Sequence, residues 1–415
     1  MLTETNKSKK VYTFNFVILF FSLFTDIKYP TSFGIIRLFD ILTIIYFLYI
    51  FFNKKLSPIK IKSLSFFFIF LVIHVSLSYK IGFDNLLREF LQSIIILFFL
   101  YILLKVNNCF NYKLLLKYGY QFSILITLFV IFWHLYNGIF GGWKLLQDSR
   151  IIFTILTVMH FLYFKFNEKQ NNFLFLICTI LLFLILIFSG ERKALLIFFV
   201  LIFLFLNKDL GFKSFAIVTI FFIIFYNITN FTSISYINKN VLSLKKFQNT
   251  GNFNYTLQTG DILDNDSFSN VVRMFQLKYS KDLFLENPLF GIGTNGYLKK
   301  IEIDYGNIFH KDHFMRTGIH GEFQRILVEN GLFGLIFYIL IWFKSWISTN
   351  TKLNYLNKIK ILDYHKSKFL MYSIFLPSLI YIGLEGSSLR GFIILGIISL
   401  MPHILENYKQ FVKMN

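Results

Sequence analysis

Two side chains in the later half of the chain are candidates for chemistry on a charged substrate. Arg273 lies among apolar residues, and a guanidinium offers fixed donors that match phosphate oxygens and keeps its charge. It could equally be an exposed arginine whose head group extends to water near a membrane surface. His320 precedes Gly321 and Glu322 at the expected start of a helix, where an imidazole could act as a general base or have only a structural role.

A glycine-rich segment lies between these two side chains, with the sequence Pro-Leu-Phe-Gly-Ile-Gly-Thr-Asn-Gly-Tyr at residues 288–297. Gly291 and Gly293 would let the backbone approach a ligand closely, or would simply form a compact turn. The segment follows no predicted strand, so it does not match the fingerprint of a dinucleotide-binding site.

The composition indicates which elements must hold these residues. The chain has 415 residues, is 55% hydrophobic and has a mean hydropathy of +0.60, which is too apolar for a soluble domain. We predict an all-α protein with about twelve membrane-spanning helices. The predicted spans are residues 11–24, 34–52, 63–79, 85–104, 114–136, 151–164, 173–188, 194–206, 212–230, 321–342, 369–384 and 389–405.

The placement of charge predicts how the spans are oriented. A net charge of +20 suggests nucleic acid in a soluble protein, but here lysines concentrate in alternate connectors, as the positive-inside rule describes. Both termini are then cytoplasmic, residues 231–319 form a large loop on the outer face, and no nucleic acid partner is expected. The loop separates two membrane regions, residues 1–230 and 320–415. The basic connectors are residues 7–10, 54–62, 105–117, 165–169, 208–213, 344–368 and 409–413.

Two elements on that outer face carry the arginines. The sequence Ser-Gly-Glu-Arg-Lys at residues 189–193 interrupts two apolar runs and contains Arg192. It could contribute to a site, or it could form only a tight turn with its charges among lipid headgroups. Within the large loop, apolar residues recur at helical spacing over residues 267–286, which predicts an amphipathic helix that carries Arg273 and ends before Pro288.

Charged residues inside the predicted spans also have two interpretations each. Arg88 and Glu89 could be functional, because charges within a membrane are costly, or they could form a structural ion pair. Arg325, one turn into the tenth span, could face the site with His320 or contact lipid headgroups. Glu322 could bind substrate, or could stabilise the helix start through its dipole.

The sequence predicts neither a disulfide nor a metal site. Cys109 falls in a cytoplasmic connector and Cys178 inside a span, so the two thiols lie at different levels of the membrane. His310, Asp312 and His313 resemble a metal site but lack a fourth ligand. We therefore expect chemistry without a metal or another cofactor.

The combination of these motifs resembles the bacterial O-antigen polymerase and O-antigen ligase superfamily of membrane glycosyltransferases. Members have many spans and one large outer loop late in the chain. The shared elements are Ser-Gly-Glu-Arg at residues 189–192, Arg273 followed by Pro-Leu-Phe-Gly-Ile-Gly at residues 288–293, and His320 at the end of the loop.

The ligase branch of that superfamily has a further pattern around its histidine. A polar residue follows the histidine, then nine residues, then Gly-x-x-Gly. Here His320, the nine residues 322–330, Gly331 and Gly334 reproduce that spacing, but Gly321 replaces the polar residue.

The resemblance implies glycosyl transfer on the outer face of the bacterial inner membrane, from an oligosaccharide on a polyprenyl diphosphate such as undecaprenyl diphosphate. Arg192 and Arg273 would stabilise the diphosphate leaving group, and His320 would take the proton from the attacking sugar hydroxyl, with inversion at the anomeric carbon. The residues expected to bind substrate are Glu322, Arg325, Gly291, Gly293 and Tyr297.

Three functions remain open at this level. A polymerase that joins lipid-linked repeat units into an O-antigen or capsule-like polysaccharide, with a chain-length regulator as a candidate partner, is favoured because Gly321 departs from the ligase pattern. A ligase that transfers finished glycan to the lipid A core of lipopolysaccharide, or to another acceptor, is the second. A flippase for the same lipid would favour internal repeats and broken helices, which the sequence does not show.

Overall fold

The computed structural model describes residues 6–23, 28–31, 34–53, 64–107, 112–136, 144–167, 172–189, 192–206, 265–305, 319, 321–360, 362–384 and 388–412. Within these residues the elements are α-helices, as the composition predicts, apart from one short turn of 3-10 helix and one small hairpin. Several residues and one predicted span lie outside the described part: Cys109, residues 212–230, His310, Asp312, His313 and His320.

The helices before the large loop follow the predicted spans closely. They are α1 (Asn6–Ser22), α2 (Leu38–Asn53), α3 (Ser65–Ser78), α4 (Phe83–Asn107), α5 (Tyr112–Tyr136), α6 (Lys144–Phe166), α7 (Asn172–Ser189) and α8 (Arg192–Leu206). Strands β1 (Lys28–Thr31) and β2 (Gly34–Arg37) pair in an antiparallel hairpin between α1 and α2, and the turn Tyr79–Ile81 joins α3 to α4.

Five more helices follow in the described part of the chain, and the first two of them lie within the predicted loop. They are α9 (Asn265–Glu286), α10 (Gly296–Tyr305), α11 (Glu322–Lys358), α12 (Tyr364–Leu384) and α13 (Ser388–Val412). In the described part of the chain, 3 helical segments are long and apolar enough to cross a membrane: Phe83–Lys105, Leu114–Phe132 and Glu322–Lys358. Shorter apolar helices occur in α1, α2, α3, α6, α7, α8 and α13. The total of about twelve spans stays a prediction.

The helices form two packing groups, each around a core rich in phenylalanine. In the first, α1–α4 pack with α11 and α13, and Phe39 lies 5.4 Å from Phe99 between ring centroids. In the second, α5–α8 pack together, and Phe161 lies 5.6 Å from Phe198. Helix α12 contributes buried residues to both cores, so it connects the two groups.

Helix α11 is much longer than the predicted span at residues 321–342. It continues to Lys358, so part of the predicted basic connector at residues 344–368 is helical. The predicted span covers the first part of this helix, and small polar residues continue the buried stripe beyond the apolar run. The buried positions recur every three or four residues, at Ile341, Ser345, Thr349, Leu353 and Leu356.

Candidate functional site

Helix α9 carries Arg273 and confirms the predicted amphipathic helix. It begins two residues before the predicted start and ends at the predicted residue. Its second half buries Gln276, Tyr279 and Leu283, at the three- and four-residue spacing of one helix face. Arg273 precedes Gln276 by one turn of the same helix.

A direct hydrogen bond joins α9 to the start of α11. The side-chain amide of Gln324 donates from Nε2 to the backbone carbonyl of Gln276, at 3.2 Å. Gln324 follows His320 by four residues in the sequence, and His320 itself lies outside the described residues. The structure therefore brings the stretch of α9 that carries Arg273 next to the stretch of chain that follows His320.

Helix α11 is broken at Gly331, and the glycine-rich turn occupies the break. Gly331 has φ 68° and ψ −169°, which is not helical, so the usual bonds across it are lost. Four main-chain hydrogen bonds to the turn replace them: Ile292 N to Val328 O (3.0 Å), Gly293 N to Glu329 O (3.0 Å), Leu332 N to Pro288 O (2.9 Å) and Phe333 N to Leu289 O (3.1 Å). We call residues 288–293 and 328–333 together the glycine interlock.

Only glycine fits at the two centres of the interlock. A Cβ atom on Gly331 would lie 2.3 Å from the carbonyl oxygen of Leu289, and one on Gly291 would lie 2.4 Å from the backbone carbon of Glu329. Both glycines also have φ above +60°, a conformation that other residues rarely adopt. The Pro-Leu-x-Gly-x-Gly and Gly-x-x-Gly motifs therefore belong to one structural unit.

The interlock gives Gly291 and Gly293 a structural role. The amide of Gly291 donates to the carbonyl of Asn287 at 2.9 Å, and the amide of Gly293 donates to Glu329 within the interlock. Neither amide is directed at an open ligand site in this arrangement. Contact of these glycines with substrate stays a prediction.

A buried histidine, His74, contacts residues next to two glycines of the interlock. His74 of α3 has no exposed surface, and its Nε2 lies 3.3 Å from a carboxylate oxygen of Glu89 on α4. Its Nδ1 lies 3.4 Å from the side-chain oxygen of Asn330, the residue before Gly331. The hydroxyl of Thr294 donates to the carbonyl of His74 at 2.7 Å. This network connects α3, α4, the glycine-rich turn and α11.

The end of the turn is tied to α4 by a second set of bonds. The side-chain amide of Asn295 donates to Glu89 at 2.8 Å, and that of Asn85 donates to the carbonyl of Thr294 at 2.9 Å. Arg88 contacts Glu89 at 3.3 Å, so the structural ion pair foreseen from the sequence is present. The glycine-rich turn is thus bonded to α3, to α4 and to the turn between them.

Arg325 is buried between two carboxylates of its own helix. It contacts Glu329 through Nη1 at 2.9 Å and forms two bonds with Glu322, and its side chain is only 7% exposed. Its guanidinium carbon lies 5.4 Å from the centroid of the Phe392 ring on α13. The interpretation of Arg325 as a headgroup contact was therefore wrong. Its bonds to Glu322 favour a role in fixing the start of α11, and substrate contact by either residue stays a prediction.

The two remaining predicted site residues lie in different surroundings. Tyr297 is 1% exposed, and its ring lies 5.7 Å from that of Tyr279, between α9 and α10. It does not lie at an open surface where a sugar could stack in this arrangement. Arg192 is the first residue of α8, directly after the α7–α8 turn, and α8 packs on α6, α7 and α12.

Sequence reasoning missed the polar residues that surround the interlock. A single histidine in an apolar span gives little signal, and Thr294 and Asn295 were read only as part of a turn. Glu329 and Asn330 directly precede Gly331, and polar residues next to a helix-breaking glycine could have indicated a bonded break.

The apolar helices, together with a glycine-rich turn bonded to α11 and α4, define a helical membrane protein. A family model described as O-antigen ligase matches residues 177–339, from within α7 to the first half of α11. This match confirms the resemblance to the O-antigen polymerase and ligase superfamily. The matched region contains Arg192, Arg273, His320 and the whole glycine interlock. No curated protein matches the chain.

We expect Gly331→Ala to destabilise the protein by about 1–3 kcal/mol from backbone strain alone, with a further cost from the collision with Leu289. Thermal unfolding in detergent measures the change in Tm. The matched control is Gly82→Ala, because Gly82 also has positive φ, at 139°, but has no atom within 4 Å of its added Cβ. Equal losses in the two variants would show that the interlock contacts contribute nothing.

We expect Arg325→Met to lower the free energy of unfolding by about 3–5 kcal/mol, because two buried carboxylates lose their partner. Adding Glu322→Gln and Glu329→Gln to this variant should restore most of the loss. The control is Lys300→Met, which removes a half-exposed ion pair of 3.8 Å and should cost less than about 1 kcal/mol. A small loss in Arg325→Met would contradict the buried triad.

Proposed function

We propose that the protein is a polysaccharide polymerase, which joins oligosaccharide repeat units carried on polyprenyl diphosphate. The family match supports an enzyme of the O-antigen ligase or polymerase type. Within that type, Gly321 in place of the polar residue favours the polymerase. The products would be O-antigen or capsule-like chains, and the lipid-linked oligosaccharide would be both donor and acceptor.

The observation that carries this proposal is the attachment of α9 to the start of α11. Gln276 and Gln324 bond directly; Gln276 follows Arg273 by three residues, and Gln324 follows His320 by four residues in the sequence. The interlock bonds the turn that follows α9 to α11 a second time, four to nine residues beyond Gln324. This arrangement supports a site in which a phosphate-binding arginine and a base act on one substrate.

The proposed reaction is a direct displacement. A sugar hydroxyl of the acceptor attacks the anomeric carbon of the donor, and the bond from that carbon to the diphosphate oxygen breaks. His320 takes the hydroxyl proton, because a histidine side chain can accept a proton near neutral pH. Arg273 and Arg192 stabilise the charge that develops on the polyprenyl diphosphate, so no metal is required. The anomeric configuration inverts.

The membrane placement follows from the charge pattern. Both termini lie in the cytoplasm, and residues 231–319 lie on the outer face of the inner membrane, between the two membrane regions 1–230 and 320–415. Substrate and polymer would then meet the site on the face where the repeat units are delivered. A chain-length regulator is a candidate partner at this face.

A ligase is the second candidate. The matching family model is described as O-antigen ligase, and the spacing of His320, Gly331 and Gly334 is that of the ligase pattern. Transport is less well supported, because transporters use the open backbone groups of broken helices to bind their cargo. At Gly331 those groups are bonded to the chain's own turn.

We expect Arg273→Ala and His320→Ala each to reduce polymer formation by at least about a hundredfold, since each removes a group that acts in the transition state. Gel analysis of surface glycan in a strain that depends on the variant measures the effect, with the amount of protein in the membrane measured in parallel. Lys278→Ala is the control for α9, because Lys278 is an exposed cation on the same helix. Normal polymer length in either catalytic variant would refute the assignment.

We expect deletion of the gene to leave a lipid core that carries one repeat unit. This product shows that repeat units reach the outer face and can be transferred but cannot be joined. Long chains retained on the polyprenyl lipid would instead identify a ligase. Repeat units trapped on the cytoplasmic side would identify a flippase and contradict both enzyme assignments.

A further inference from the structure

Two large apolar side chains of the outer loop are exposed at the interlock. Leu289 is 61% exposed and Phe290 is 51% exposed, although the turn that carries them is packed against α11 on its other side. In a loop surrounded by water, both would cost free energy in proportion to their exposed apolar area. Contact with an apolar environment at this surface would remove that cost.

The interlock places these side chains level with the lipid-facing surface of α11. Leu332 and Phe333 bond to the carbonyls of Pro288 and Leu289, and the rings of Phe290 and Phe333 lie 5.7 Å apart. From this level onward α11 carries a stripe of exposed apolar side chains. The stripe consists of Leu332, Phe333, Ile336, Ile339, Leu340, Phe343 and Ile347.

The stripe on α11 alone is too short for a membrane. From Leu332 to Ile347 a helix rises about 23 Å at 1.5 Å per residue, whereas the hydrocarbon layer is about 30 Å thick. Near one end, Lys344 lies 4.3 Å from the ring of Phe66, as expected of a lysine that extends toward an interface. The hydrocarbon must then extend past Leu332 in the other direction, where Leu289 and Phe290 provide the exposed apolar surface.

Irregular backbone is tolerated at membrane depth only where its polar groups are bonded inside the protein. The glycine-rich turn meets this condition at the backbone groups that bond to α11 and to Lys80. The carbonyls of Pro288 and Leu289 accept bonds from α11, and the amides of Ile292 and Gly293 donate to it. The carbonyl of Gly291 accepts a bond of 2.9 Å from the ammonium group of Lys80.

We propose that residues 288–290 insert into the hydrocarbon of the membrane, where Leu289 and Phe290 contact the acyl chains of bilayer lipids. The loop is then a re-entrant element rather than a wholly aqueous domain. The interlock favours this insertion, because it bonds the carbonyls of Pro288 and Leu289, which lipid cannot bond. The inference rests on exposure, register and bonding, and it holds whichever reaction the protein catalyses.

Site-directed spin labelling of the full chain in phosphatidylcholine and phosphatidylglycerol vesicles tests the proposal. Cys109 and Cys178 are first replaced by alanine, and a nitroxide is attached to cysteine at position 290. Collisions of the nitroxide with molecular oxygen report contact with lipid, and collisions with a water-soluble nickel chelate report contact with water. Ile336→Cys gives the lipid reference, and Ile303→Cys, on an exposed site of α10 between Glu302 and Asp304, gives the aqueous reference.

We expect the ratio of oxygen to nickel accessibility at position 290 to resemble that at position 336 and to exceed that at position 303 several-fold. A ratio equal to that at position 303 would place the turn in water and overturn the proposal. Shielding from both reagents would also overturn it, because another part of the protein would then cover the turn. If Phe290→Cys fails to fold, Leu289→Cys gives the same comparison at the neighbouring exposed position.

Discussion

The main-chain bonds across the break in α11 are the constraint on which the rest of the site depends. A helix broken within a membrane protein leaves amides and carbonyls that lipid cannot satisfy, and each costs several kcal/mol if it stays unbonded. Here the break at Gly331 is stable because residues 288–293 supply the missing partners. Helix α9, which carries Arg273, ends just before this glycine-rich turn. The bonds of the interlock therefore position the end of α9 relative to α11.

The buried polar network around His74 favours one register of the glycine-rich turn against α11. Asn330 lies next to Gly331 and Thr294 next to Gly293, and both contact His74. A slip of the turn by one residue would therefore separate Thr294 from His74 and Asn295 from Glu89 in the interior. Buried groups of this kind add little net stability, but the cost of leaving them unbonded excludes alternative registers.

The sequence predicted the helices and the rough place of the site, but not how the site is held together. Apolar periodicity located α9 to within two residues, and the glycine spacing identified both motifs of the interlock. It could not show that the motifs bond to each other, because the partners are separated by about forty residues and backbone bonds leave no side-chain signature. The burial of Arg325 was missed for a related reason. In the sequence, a charged residue near a predicted helix start is interpreted as exposed. Only the structure shows that Glu322 and Glu329 lie on the same side of the helix as Arg325 and bond to it.

The division of the helices into two packing groups has a consequence for the proposed chemistry. The start of α11, on which α9 packs, belongs to the first group, whereas Arg192 begins α8 in the second, and α12 packs in both cores. In the proposed mechanism the guanidinium groups of Arg192 and Arg273 act on one diphosphate. This requires the two packing groups of helices to hold both arginines within reach of the same substrate. The interlock bonds the described residues of one half, and the relative position of the two groups depends on the helix contacts between them, including those of α1 with α5 and of α12 with α11 and α8.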